Sequence, residues 1–162
     1  MLTPLAILWT TGCTGLLGDT GEPGDPCEAG QRKEVVIGQG ELSFDAIESE
    51  TDTVELIYGP QGGYHVVIAA RAQYLDAADF VAATLSGTIS GQEVGQTWPY
   101  IDFRCNAAEA AQDGVGMLLV FTTEPEELHD RILQVQLEVT DLAGDVVRDK
   151  RSMTIWDAYQ AK

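Results

Sequence analysis

Val54-Glu55-Leu56-Ile57-Tyr58, Gly59-Pro60-Gln61-Gly62-Gly63 and Tyr64-His65-Val66-Val67-Ile68-Ala69-Ala70-Arg71-Ala72 run consecutively through residues 54 to 72. Two runs rich in β-branched and aromatic residues flank five residues of loop chemistry, the pattern of a β-hairpin. Pro60 pre-sets a turn φ, and Gly62 and Gly63 accept positive φ without a Cβ clash. Val54, Leu56 and Tyr58 are expected on one face of the outgoing arm. On the return arm Tyr64, Val66, Ile68 and Ala70 share a face, and the opposite face is also fairly apolar. That predicts a central strand rather than an edge.

Working outward, the same period-2 signature recurs. Upstream, Leu42, Phe44 and Ala46 alternate with Glu41, Ser43 and Asp45, which predicts a strand. Downstream, residues 73–79 read as a turn, Phe80 to Ile89 as a strand and residues 90–97 as a polar connection. Ile101, Phe103 and Cys105 alternate with Tyr100, Asp102 and Arg104, so Cys105 is expected to face inward. Asn106 to Gly114 reads as a loop, and Met117, Leu119 and Phe121 are in phase on a further strand. Glu124-Pro125-Glu126-Glu127 fits a helical turn with Pro first and carboxylates at its positive end. Leu133, Val135, Leu137 and Val139 mark the clearest strand, and Asp141 to Asp145 is a hairpin loop with Gly144 suited to positive φ. In the last strand, Val146 to Trp156, Asp149 and Arg151 fall in phase with Val147, Met153 and Ile155. That break implies an edge position or a bulge.

Short strands, frequent turns and no long helical pattern predict an all-β fold, an antiparallel sandwich of seven or eight strands. Val135-Gln136-Leu137-Glu138-Val139-Thr140-Asp141-Leu142-Ala143-Gly144-Asp145 resembles the end of immunoglobulin-like and fibronectin-like extracellular domains, which implies an immunoglobulin-like β-sandwich. Loosely over residues 35–157, and specifically over 59–65, the chain also resembles uncharacterised envelope lipoproteins of myxobacteria and their relatives. That resemblance carries no activity.

The 162 residues hold 26 acidic and 9 basic side chains, a formal net charge of -17. A negative potential of that size argues against nucleic acid as a partner. Residues 2–12 are apolar and too short to span a bilayer, but they suit the core of an export signal. They end in Thr10-Thr11-Gly12-Cys13, which resembles the bacterial lipobox, whose cysteine is acylated. Thr10 stands where Leu is usual, and no Lys or Arg precedes the apolar run. The alternative is an ordinary signal peptide or an N-terminal strand that happens to contain a cysteine. The resemblance implies an export signal over 1–12, an acylated Cys13 with a flexible tether over 13–33, and a β domain over 34–158. It places the protein in the cell envelope, and Thr14 after the cysteine favours the outer membrane. With Cys13 acylated, Cys27 and Cys105 remain as an even pair in an oxidising compartment, and a bridge between them is expected.

Gln61, Tyr64 and His65, at the hairpin loop, are the candidate binding residues. His65 and His129 are the only histidines, and no close-spaced ligand pair joins them, so no metal site is expected. Asp141, Asp145 and Asp149 offer oxygens suited to calcium without the spacing of a calcium loop. Trp98, Tyr100 and Trp156 make a sugar-stacking platform if exposed; core packing is the expectation. No nucleophile elbow or phosphate loop is present, and neither enzymatic activity nor a cofactor is expected. The function read here is a non-enzymatic envelope lipoprotein, a binding or structural module whose partner is a protein or a glycan. The alternative is a calcium- or carbohydrate-binding sensor module.

Overall fold

Leu133, Val135, Leu137 and Val139 are each fully buried, as their alternation with polar residues requires. They lie on the strand that carries one wall of the core. The computed structural model describes residue 25 and residues 27–30, 32–60 and 62–159. The leader, Cys13 and Gln61 lie outside those residues. Among the described residues the chain is all-β, with one single-turn 3-10 helix at Pro125–Glu127. Pro stands at its start and Glu126 and Glu127 in its first turn, as predicted.

The strands are β1 Glu34–Gln39, β2 Asp45–Ala46, β3 Thr53–Glu55, β4 Ile57–Tyr58, β5 Tyr64–Gln73, β6 Val81–Ile89, β7 Gln92–Thr97, β8 Tyr100–Ile101, β9 Arg104–Asn106, β10 Ala111–Phe121, β11 Ile132–Thr140 and β12 Val146–Trp156. They form one hydrogen-bonded network in the order β2-β1-β5-β10-β7-β6-β11-β12-β3, with β4, β8 and β9 paired to its sides. Twelve strands therefore stand where seven or eight were expected. The surplus are rungs of two or three residues, too short to show alternation. The sheet is also mixed: β3 runs parallel to β12, with Val54 opposite Ile155.

The hairpin is present, with Ile57 opposite His65 and Tyr58 opposite Tyr64. Gly62 takes a φ of +83° at its turn. The outgoing arm, however, is divided. The Leu56 N–H turns away to the Trp156 carbonyl, so Val54 and Leu56 are buried beside β12, while Tyr58 stays partly exposed. Upstream, the Asp52 carboxylate accepts the N–H groups of Glu48 and Ser49, a turn that leads the chain into its parallel course. The return arm, β5, is central as expected, between β1 and β10.

Three further expectations are corrected. The 41–46 strand reduces to Asp45–Ala46, and Leu42 is 90% exposed, because the chain turns sharply at Gly40, where φ is +129°. Residues 92–97 are strand rather than connection. Ser90 and Gly91 both take positive φ, the requirement of a tight two-residue hairpin turn. Cys105 is exposed, since the alternation that buries Ile101 and Phe103 slips where β9 begins. The edge predicted for β12 is present: residues 146–152 pair with β11 on one side alone, and the Asp149 carboxylate accepts the Ile37 N–H from β1 across the open seam.

The path crosses from β10 to β7 through a single pair, Phe121 opposite Gly95. A Cβ at Gly95 would stand 2.3 Å from the Val120 carbonyl oxygen, so only glycine permits this crossing. Beside it the Leu119 side chain of β10 packs directly above Gly87 of β6. Where the two halves splay apart beyond the crossing, a groove opens.

Candidate functional site

From Thr97 the chain leaves β7 and runs Trp98-Pro99-Tyr100-Ile101-Asp102-Phe103-Arg104, with Ile101 and Phe103 buried. Alternate residues, Trp98, Tyr100, Asp102 and Arg104, are exposed. Side chains two apart on an extended segment stand about 6.6–6.8 Å from one another. Trp98 is 68% and Tyr100 76% exposed, which overturns the expectation that they pack in the core. Asp102 and Arg104 continue the row as an ion pair at 2.8 Å.

The facing wall is β10. A bulge between Gly114 and Met117 interrupts its register with β5, and Val115, Leu118 and Val120 all face outward. The two walls are tied where the Thr97 hydroxyl donates to the Leu118 carbonyl at 2.8 Å. Between them lies an open groove of about 1190 Å³ with Met117 and Ile101 in its floor. Trp98 and Tyr100 also border a shallower depression of about 260 Å³ on the outer face of β6 and β11, so the two aromatic side chains form a ridge between the two hollows.

The far end of the groove is polar and tightly organised. Arg71 grips Asp113 with two parallel hydrogen bonds at 2.7 and 2.9 Å and reaches Glu109 at 3.1 Å. Asn106 adds a 2.8 Å bond to Asp113, and Phe44 lies beneath the guanidinium at 4.5 Å. The hydrogen bonds from Arg71 hold the Asp113 carboxyl below its ordinary value despite partial burial, and the same bonds raise Arg71. Cys105 lines this end and is bonded to Cys27, the bridge expected from the cysteine parity. That bridge fixes β9, which pairs with β10 only through Ala111–Asp113.

Of the hairpin candidates, Tyr64 and His65 lie outside this groove. Tyr64 is half-buried and meets Tyr58 edge-on at 5.1 Å, and Tyr58 meets Tyr159 at 4.8 Å. His65 is half-buried in the β4–β5 ladder. His129 accepts the Asp157 N–H through Nδ1 at 3.0 Å. The calcium candidates have other partners: Lys33 Nζ stands 2.6 Å from both Asp141 and Asp145, and Asp149 bonds Arg151 and the Ile37 N–H. Among the described residues no three His, Cys, Asp or Glu side chains are grouped to hold a metal ion. Trp156 is partly exposed on β12, away from the groove that Trp98 and Tyr100 border.

Sequence reasoning noticed the aromatic pair but missed the site they border. The usable signal was the run Trp98-x-Tyr100-x-Asp102-x-Arg104, whose outward positions are two aromatics and an ion pair. Fold and groove together define an all-β domain with an open, amphipathic surface groove. No family model matches the chain, and no curated protein matches it either. Among the described residues no helix is long and apolar enough to cross a membrane.

Proposed function

We propose that the protein is a non-enzymatic cell-envelope lipoprotein, an immunoglobulin-like β-sandwich module that binds its partner in the groove between the Trp98–Arg104 row and β10. One observation carries this reading. Large rings are normally buried, yet Trp98 and Tyr100 are presented to solvent two residues apart in the chain, beside a groove with a built polar end.

The non-enzymatic part rests on how the groove's polar groups are used. Asp113 is held ionised by Arg71 and Asn106, so it is not poised to donate a proton, and the Asp102 carboxylate is engaged by Arg104. The lipid anchor rests on Gly12-Cys13 after a short apolar run, and Thr14 favours the outer membrane. The sandwich reading rests on the Leu119 side chain of β10 packing over Gly87 of β6. Against the calcium alternative stands the Lys33 ammonium between Asp141 and Asp145.

Two measurements test the proposal. Radiolabelled palmitate enters the wild-type chain in cells and not Cys13→Ser; equal labelling of both refutes the anchor. A photo-crosslinking residue at Leu118, in the groove, captures an envelope component, and one at Lys150, on the β12 surface, does not. Capture at both positions, or at neither, refutes the groove.

A further inference from the structure

Resting on that reading of the groove, we infer that its ligand is an uncharged polysaccharide chain, seated with its sugar rings against Trp98 and Tyr100. Three observations narrow the ligand class.

A peptide that adds a strand to a sheet needs free backbone groups along an edge. On the groove side of β10 three of those groups are already engaged: the Gly116 N–H bonds Gly40, the Leu118 carbonyl accepts from Thr97, and the Thr122 N–H bonds Val94. An added strand meets an interrupted ladder there, which favours an occupant that docks through side chains.

Charge removes the polyanions. The chain carries a formal net charge of -17, and the groove's own Asp102, Glu109 and Asp113 outnumber Arg71 and Arg104. An anionic chain meets repulsion both at long range and at the wall.

A neutral chain with apolar ring faces and hydroxyl edges meets neither obstacle, and the groove matches both of its features. The rings of Trp98 and Tyr100, spaced two residues apart on an extended segment, offer successive apolar faces. Beyond them stand Asp102, Arg104 and Asn106, planar groups engaged in an ion pair and a hydrogen bond, able to accept from and donate to adjacent hydroxyls.

The test titrates the full-length protein with neutral hexasaccharides of β-1,4-glucan, β-1,3-glucan, chitin and mannan, and with an alginate hexasaccharide, by calorimetry and tryptophan fluorescence. At least one neutral chain is expected to bind and to shift the fluorescence. Trp98→Ala and Tyr100→Ala are each expected to weaken it about tenfold or more, with Trp98→Phe restoring part of the loss. Both side chains are exposed, so melting temperatures stay unchanged. The inference is overturned if no neutral chain binds, if binding ignores both substitutions, or if alginate binds best. If the sugars fail while the crosslinker at Leu118 still captures a component, the ligand class is wrong and the groove stands; if both fail, the groove falls too.

Discussion

The Tyr58 hydroxyl donates a 2.6 Å hydrogen bond to the fully buried carboxylate of Asp157, joining the central hairpin to the end of the last strand. The same carboxylate accepts the Tyr159 N–H, and Tyr58 stands edge-on between Tyr64 and Tyr159. The bond acts as a clasp where β3, β4 and β12 meet.

Removing the clasp leaves a buried carboxylate short of one donor. Tyr58→Phe is expected to lower the unfolding free energy by about 1–3 kcal/mol in urea at neutral pH. The Asp157 bond, with burial, pushes the Tyr58 hydroxyl up to about 12 from an ordinary 10.0. Below the ordinary value both folded and unfolded chains keep the proton, and the contribution is complete. As pH rises from there towards the folded value, only the unfolded chain releases it, so stability falls. Lys33, raised by its bonds to Asp141 and Asp145, acts in the same direction. Melting curves from pH 9 to 12 should show a decline that is shallower in Tyr58→Phe; equal slopes would contradict the clasp.

At the acid end the sign reverses. Burial raises the Asp141 carboxyl, but the Lys33 ammonium and the N–H groups of Asp145 and Asp76 outweigh it, and the net shift is downward. Asp113 is lowered chiefly by Arg71. Stability from both is present above the ordinary carboxylate range and is lost as pH falls through their lower folded values. Asp141→Asn should flatten the acid limb of a stability-against-pH curve, and an unchanged limb would show that the Lys33 pair contributes nothing.

The Cys27–Cys105 bridge closes a long stretch of chain, its ends 78 positions apart in sequence, and secures the short β9 wall. Reduction, or Cys105→Ser, is expected to cost about 2–4 kcal/mol. Hydrogen exchange should quicken first at Arg104–Asn106 and Ala111–Asp113. Uniform loss of protection across the domain would argue that the bridge does not act locally.

Gly95→Ala tests the crossing. An added Cβ meets backbone rather than a side chain that can move aside, and the expected cost is about 1–3 kcal/mol in chemical denaturation. Full stability in this variant would mean that β7 and β10 do not approach as described.

Much of the frame was legible where burial is one-sided. β5, β6, β10 and β11 alternate because one face meets the core, and Leu133 to Val139 could be read directly. The short rungs were not legible, because β3 and β4 are decided by distant partners: a Trp156 carbonyl redirects Leu56, and no local pattern records that. The strand at Gln92–Thr97 was hidden by its polarity, although Ser90-Gly91 carried a turn signal. Leu42 and Phe44 looked like core from their spacing, and Gly40 sent them elsewhere. The groove arises where two halves of one sheet separate, so its aromatics could be noticed in the sequence but their exposure could not. A one-dimensional pattern marks which residues want burial; it does not mark which of them find no cover.

The central claim is that the groove beside Trp98 and Tyr100 is occupied when the protein is in its envelope. Hydroxyl-radical footprinting, read by mass spectrometry on intact envelopes and on the purified full-length chain, measures this residue by residue. The account predicts that Trp98, Tyr100 and Leu118 are oxidised several-fold less in envelopes, while exposed Tyr159, which does not line the groove, reacts equally in both. Equal oxidation of Trp98 and Tyr100 in the two preparations would contradict it.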